Sequence, residues 1–414
     1  MTPLGDVRSI VMAACGSLPV VEIPRAQAAG AVLAEDIVAT EPVPPFDNTA
    51  VDGYAVIAAD TAVVPCELRV VGEIAAGATS NVTVVPGTAI RIMTGAPIPA
   101  GCDAIVMVED TERVGNDGVR ILRSVNATDG VRRAGSDVEP GVTVMNAGMV
   151  VTPMVEGVLA NVNARTIRVV RRARVGVVST GDELVDDGSP LRPGQIRESN
   201  RTMLMRLVAE CGAEPVDLGI VRDDESVLES VLRDAVGPGG CDALLTSGGV
   251  SMGDYDIVKA VLARIADMRW FQVAMKPAKP FAFGTLRNDH GVSVPIFGLP
   301  GNPVSSLMSF ELIARPALRL MMGHRRPHRA HVAAIVDEDV ERRPDGKVHF
   351  DRVHARWDSD GRVHVRRTGP QGSHQLAATA LANAIMAVPD GDGVRAGSTV
   401  TVTFLGPESG PAVG

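Results

Sequence analysis

Between Val175 and Ser305, short runs of Val, Leu, Ile and Phe repeatedly end on glycine or a small polar residue, and most give way to amphipathic stretches of helical period. This alternation constrains the fold more than any other feature, because a strand that returns to its sheet through a helix must run parallel to the one before it. We read strands at Val175 to Ser179, Pro215 to Val221, Ala243 to Thr246, Trp270 to Ala274, Phe281 to Thr285 and Val294 to Gly298, with helices starting near Arg201, Glu225, Asp256 and Val304. Asn288-Asp289-His290-Gly291 reads as a hairpin turn. The expectation is a doubly wound parallel sheet covered on both faces, with ligands gathering at the carboxyl ends of its strands.

The flanking text differs. From Val7 to Thr40 we expect a helix, a strand at Val20 to Ile23, an Ala-rich helix over Arg25 to Leu33, and a chain entering the turn Pro42-Val43-Pro44-Pro45. From Tyr54 to Asp137 the pattern becomes short alternating runs, such as Leu68 to Val71 and Ala104 to Val108, which predicts an all-β insert. Thr152-Pro153 places an N-cap before a Pro at the first helical position, opening a helix through Val162. Alternating runs return after Arg329 and predict a small C-terminal β domain. With 43 Gly, 28 Pro and 3% aromatic residues, these domains must turn often and fill their cores with aliphatic side chains. The domains read as a discontinuous linking domain over 1–53 and 138–170, the β insert over 54–137, the α/β domain over 171–326 and the β domain over 327–414.

A formal charge of −9 gives no chain-wide attraction to nucleic acid or acidic membranes. The five cysteines lie far apart with no C-x-x-C pair, which supports neither a zinc site nor a disulfide framework and fits a reducing cytoplasm. Val11-Met12-Ala13-Ala14-Cys15 faintly resembles a lipoprotein box, but Asp6 and the short apolar run favour a helix. No segment approaches the ~20 apolar residues of a membrane span.

Four loops carry chemistry. Thr180-Gly181-Asp182-Glu183 follows a buried strand and joins bare glycine backbone to two carboxylates. The second stretch contains Ser247, Gly248, Gly249, Ser251, Gly253 and Asp254, where glycines admit a phosphate and N–H groups at a helix start point at it. Carboxylates beside a phosphate loop call for a hard divalent cation with oxygen ligands, and Glu183 and Asp254 are the first choices. Met275-Lys276-Pro277-Ala278-Lys279-Pro280 sets two ammonium groups on a proline-stiffened loop suited to an oxyanion. Pro300-Gly301-Asn302-Pro303, leading to Ser305, completes a ring of loops on one sheet edge. Each loop alone could be only a strand-to-helix turn; their common position is what argues for a site.

In this order the loops resemble those of the molybdopterin molybdenumtransferases, the MoeA-like enzymes. Phe46 to Ala55, Arg91 to Ala96 and Arg133 to Asp137 also look like signatures of that family, so the resemblance spans nearly the whole chain. It implies a doubly wound molybdopterin-binding α/β domain, an inserted β domain, a discontinuous α/β linking domain and a C-terminal β-barrel-like domain. It further implies a cytoplasmic homodimer that inserts molybdate into adenylylated molybdopterin with release of AMP, with transient contacts to the adenylyltransferase and to apo-molybdoenzymes, and none to nucleic acid or membrane.

Carried over by motif, the resemblance implies Mg²⁺ on Glu183 and Asp254, and Lys276, Lys279, Ser305, Arg352 and Ser373 around molybdate. Asp52, Thr94 and Asp137 would reach the site across a dimer interface. Ala278 stands where the family usually has Gly, which raises a question about the local backbone angle. Seven of the eight histidines lie beyond residue 320, which argues against His acid–base chemistry in the sheet domain. His324, His328 and His331, interleaved with Arg325, Arg326 and Arg329, read as a solvated basic linker, as does Arg171 to Arg174. Two other readings remain open: the adenylyltransferase step, which uses similar loops in a smaller chain, and a pterin-binding fold retained as a scaffold.

Overall fold

The computed structural model of the chain describes residues 1–79, 81–250, 257–288, 290–406 and 412–413. It divides into two compact units: Met1–Glu22 with Gly30–Ala34 and Arg168–Gly414, and Ile23–Ala29 with Glu35–Ile167.

The first unit holds the α/β sheet and the C-terminal β domain. The strand order across the sheet is Glu214–Val221, Arg174–Thr180, Ala243–Ser247, Ser293–Leu299, Pro280–Arg287 and Ala266–Gln272. The first four are mutually parallel, as the alternation predicts. Pro280–Arg287 runs antiparallel to both its neighbours, Ser293–Leu299 and Ala266–Gln272, so the sheet is mixed rather than parallel throughout. The reason is connection length: a parallel return needs a crossover of roughly a dozen residues or more, and neither 273–279 nor 288–292 is that long. The edge strand also begins at Ala266, directly after the helix Ile257–Ile265, rather than at Trp270.

Alternation along the strands sends side chains to two cores. Val175, Val177, Leu245, Phe297 and Leu299 join one, with Leu204 and Val208 of the helix Asn200–Glu210 and Val7 and Val11 of the helix Leu4–Ala14. Val178, Leu244, Val294 and Ile296 join the other, with Leu228 and Leu232 of the helix Glu225–Ala235 and Val258, Val261 and Leu262 of Ile257–Ile265. Burying each such side chain contributes ~1.5–3 kcal/mol, which fixes both the strand register and the helix faces.

In the C-terminal domain, Val348–Trp357, Val363–Arg367, His331–Val336, Thr399–Phe404 and Ala384–Val388 pair in that order, and the last pairs back to the first. This closes a five-stranded barrel around Val353, Ala355, Met386 and Val402. Met275–Lys276, in the loop that carries the two lysines, is a short strand running parallel to Val348–His349 of that barrel. The basic stretches are only partly solvated: Arg172, Arg325, Arg326, His328 and His331 are exposed as expected, whereas others pack inward. Arg329 is bonded to Glu311 and Glu210, His324 is buried against Arg319, and Arg171 grips both oxygens of Asp242.

The second unit contains a six-stranded sheet ordered Ala104–Met107, Gly53–Val56, Thr88–Ile92, Cys66–Ile74, Gly118–Ile121 and Thr111–Val114. Its faces bury Tyr54, Val56 and Val106 on one side and Ala55, Ile90, Ile92 and Ile105 on the other. Thr152 caps the helix Pro153–Asn161 by accepting from the Val155 N–H at 3.3 Å. The Ala-rich helix expected over Arg25 to Leu33 does not form: Arg25–Gln27 makes one 3-10 turn, and Val32–Leu33 is extended, paired with Val169 and Val170. That stretch has composition but no apolar period, and strand pairing overrides helix propensity there.

Candidate functional site

The parallel strands Arg174–Thr180, Ala243–Ser247 and Ser293–Leu299 all end at one cleft of about 610 Å³. Its lining takes Thr180, Gly181, Glu183, Gly248, Gly249, Pro300, Gly301 and Asn302 from the loops singled out in the sequence. Asp223, Val250, Ile257 and Pro280 complete it.

The loops nest closely enough that side chains are excluded. Gly248 has φ +103°, and a Cβ there would stand 3.2 Å from Thr180 Oγ1 and 3.3 Å from its carbonyl oxygen. Gly181 has φ +143°, and a Cβ there would collide with the carboxylate of Glu183, which folds back over it. Both backbones occupy a region that favours glycine, and the bare Cα atoms let phosphate-sized groups approach the main chain. The Glu183 loop is set by a two-residue parallel ladder between Leu184–Val185 and Ile196–Arg197, with the Ile196 N–H donating to the Glu183 carbonyl at 2.8 Å.

Two residues outside the sequence motifs hold these loops. Buried Asn200 donates from Nδ2 to Ser247 Oγ at 2.8 Å and to the Gly301 carbonyl at 2.7 Å, which ties the second loop to the fourth. Buried Glu198 accepts from Ser179 Oγ at 3.0 Å and from the Arg201 N–H at 2.6 Å, capping the helix that carries Asn200. Both lie in Ile196-Arg197-Glu198-Ser199-Asn200, where one apolar and four polar residues give no periodic signal. Asp223, exposed at the cleft, was likewise missed, since a lone Asp after a strand reads as a turn.

Asp182 lies beyond the cleft, in an adjoining polar recess of about 250 Å³ with Asp186, Asp187, Arg192 and Arg222, and its carboxylate accepts from the Asp223 N–H at 3.3 Å. Ser251, Gly253 and Asp254 lie outside the described residues. Among the described residues no three His, Cys, Asp or Glu groups cluster as a metal site.

Lys276 and Lys279 are both exposed, and Pro280, next in the chain, lines the cleft, so the lysine loop borders the glycine loops. Neither lysine has an ion-pair partner among the described residues. Ala278, between them, is 3% exposed and has φ +75°, which answers the question raised by its identity: the left-handed angle is kept without glycine. Ser305 is buried in the helix Pro303–Ser309, and the Val304 N–H donates to the Ser373 carbonyl at 3.1 Å, which docks the barrel loop on that helix. Arg352 is wholly buried, and its guanidinium donates to the carbonyls of Pro370, Gln371 and Gly372 at 3.1–3.2 Å. It shapes the loop that carries Ser373.

In the second unit the structure brings Asp52 and Thr94 together. The Asp52 carboxylate accepts from the Thr94 N–H at 2.6 Å and its hydroxyl at 2.7 Å, and these bonds, backbone first, hold the carboxyl below its ordinary range. The exposed Asp137 is fixed through its backbone, its N–H donating to the Val43 carbonyl at 2.9 Å.

Three family models match the chain: the MoeA N-terminal region (domains I and II) over residues 2–163, a probable molybdopterin binding domain over residues 176–320, and the MoeA C-terminal region (domain IV) over residues 336–405. Molybdopterin molybdenumtransferase 2 of Mycobacterium tuberculosis is 41% identical over 382 residues, covering 89% of this chain and 91% of that protein. The molybdopterin molybdenumtransferase of Haemophilus influenzae is 36% identical over 378 residues, 91% of each chain. The crystal structure of the molybdopterin biosynthesis MoeA protein of Pyrococcus horikoshii matches with a TM-score of 0.79 at 29% identity, covering 98% of this chain and 100% of that one.

Proposed function

The chain belongs to the molybdopterin molybdenumtransferase (MoeA) family of molybdenum cofactor biosynthesis, and on that premise we propose how its residues divide the work of inserting molybdate into adenylylated molybdopterin with release of AMP. The observation that carries the reading is the junction at Pro280 of two surfaces suited to anions: glycine loops on one side, and on the other two exposed lysines with no ion-pair partner among the described residues.

Both substrates are anionic, and bringing a pyrophosphate next to a dianion costs repulsion that cationic groups must offset. Gly181, Gly248 and Gly249 present main chain to the pyrophosphate, and Asn200 keeps the second and fourth loops in register. Lys276 and Lys279 take molybdate, with Ser305 and the Arg352-braced Ser373 loop behind them. Cleavage of the phosphoanhydride consumes one water and leaves AMP and the pterin phosphate, while the two pterin thiols give up their protons to an oxo group of molybdate, which leaves as water when the Mo–S bonds form.

The residues present fit a magnesium ion. Glu183 and Asp223 face one cleft, and two carboxylates plus substrate oxygens and water form the oxygen set this cation prefers. Asp254, the sequence's first choice beside Glu183, lies outside the described residues. Bound there, Mg²⁺ would neutralise charge on the pyrophosphate. We further propose a homodimer, with Asp52, Thr94 and Asp137 contributed at its interface; light scattering at micromolar concentration that returns a monomer would remove that part.

The test is incubation of the full chain with adenylylated molybdopterin, molybdate and Mg²⁺, following AMP and reconstitution of a molybdenum-dependent apoenzyme. Both signals are expected, and both should fall when Mg²⁺ is chelated. AMP without reconstituted activity would sink the insertion reading. Formation of the adenylate from ATP and molybdopterin would replace it with the adenylyltransferase step.

A further inference from the structure

Lys276 stands directly opposite His349 in the parallel ladder between Met275–Lys276 and the barrel strand Val348–Trp357. Paired residues of neighbouring strands leave the same face of the sheet, with the strands about 4.8 Å apart.

His349 is buried, and its Nε2 meets Asp345 Oδ2 at 3.2 Å. That carboxylate is shared: Lys347 Nζ donates to Oδ2 at 2.7 Å and Arg342 to Oδ1 at 2.7 Å. Arg342 also donates to Asp390 Oδ1 at 2.8 Å, and Asp390 accepts from the N–H groups of Asp345 and Gly346. Every cation in this barrel cluster is thus paired, whereas Lys276, one strand away, has no ion-pair partner among the described residues. Burial, together with the Arg342 and Lys276 charges, holds the imidazole below its ordinary pKa against the pull of Asp345. A neutral ring beside an exposed lysine does not compete for its charge.

We propose that His349 is a positioning residue for the oxyanion site: held by Asp345, it separates that carboxylate from Lys276 and so keeps the lysine ammonium free for molybdate. The proposal rests on the reading of Lys276 as a molybdate ligand. Without the ring, a flexible lysine could reach across the ladder to Asp345, and an internal ion pair would then compete with the incoming anion.

The test is the steady-state KM for molybdate with the full chain at saturating adenylylated molybdopterin. His349→Ala should raise KM up to about fivefold, the upper end of what an exposed ion pair supplies, with kcat changed less than about twofold. His349→Gln, which keeps an amide donor toward Asp345, should stay near the parent value. The double variant His349→Ala, Asp345→Asn should return KM to within about 1.5-fold of the parent, because the competing carboxylate is gone. A merely structural role predicts the reverse, since losing both partners would compound the damage.

An unchanged KM in His349→Ala, or no recovery in the double variant, overturns the proposal. If the alanine variant loses the parent's near-ultraviolet circular dichroism, His349→Leu, which fills the space without a donor, takes its place in both measurements. Lys276→Ala serves as the reference: should it leave KM unmoved, the molybdate reading of Lys276 itself fails, which is distinct from failure of the His349 proposal.

Discussion

Thr94 gives both of its donors, the backbone N–H and the hydroxyl, to one oxygen of Asp52. The ionised carboxylate is therefore favoured in the folded state, and its pKa lies below the unfolded value. The sign follows: this contribution is complete above the unfolded pKa of about 3.9 and disappears as pH falls through the folded one. Thr94→Val removes the hydroxyl and leaves the N–H, so the Asp52 pKa should rise part of the way back, read by carboxyl-carbon NMR titration. An unmoved titration curve would show that the hydroxyl bond is not made in solution.

His324 provides a second pH dependence, of opposite origin. It is 5% exposed, and Arg319 approaches its Nδ1 at 3.1 Å, an arrangement that suits the neutral ring. Burial, then the charges of Arg319 and Arg315, push its pKa down to about 4 from 6.5. Between those values the unfolded chain binds the extra proton, so stability should fall as pH drops from 6.5 to 4, by about 3 kcal/mol. Urea denaturation across that range measures it. His324→Gln should flatten the profile, and a variant that follows the parent slope would assign the loss to other groups.

Asn200 should matter more than its place outside any motif implies. Asn200→Ala leaves the Gly301 carbonyl and the buried Ser247 hydroxyl without their donor, which costs ~1–3 kcal/mol. The urea midpoint should drop with an unchanged slope. Because the lost bonds join two cleft loops, KM for the pterin substrate should rise as well. Full stability with an unaltered KM would remove Asn200 from the site.

Ala278 carries a left-handed backbone between the two lysines. For an L-residue that costs ~1–2 kcal/mol, whereas glycine adopts it freely at an unfolded-state entropy cost of ~0.4–1 kcal/mol. Ala278→Gly should therefore be stabilising by up to about 1 kcal/mol, and Ala278→Val clearly destabilising, because β-branching tolerates this angle poorly. Thermal denaturation of the three proteins ranks them, and a valine variant as stable as the parent would show that the loop adopts another angle.

The cleft was legible in the sequence because each buried strand is a continuous apolar run stopped by glycine. Thr180-Gly181 and Ser247-Gly248 therefore marked both the strand ends and the place where backbone must stay bare. Asn200 and Asp223 were not, since their importance comes from partners 47 to 101 residues away or from the cleft itself, and not from neighbours in the chain. The Asn288 to Gly291 turn had already contained the antiparallel pair that broke the parallel expectation; connection length was the signal to weigh. His324 and Arg329 looked solvated because a run of basic residues shows nothing of Glu311 and Glu210, which draw Arg329 inward.

Met275–Lys276 lies along the chain between two strands of the α/β sheet, Ala266–Gln272 and Pro280–Arg287, but hydrogen-bonds to the barrel. The two domains are therefore not interchangeable modules. A barrel transplanted from a relative, or an insertion that slides Val348–His349 by one residue, would turn the opposing side chain to the other face of the ladder. Such a chimaera could keep two sound cores and still misplace Lys276, so the position of the lysine loop depends on the barrel's register as much as on the sheet beside it.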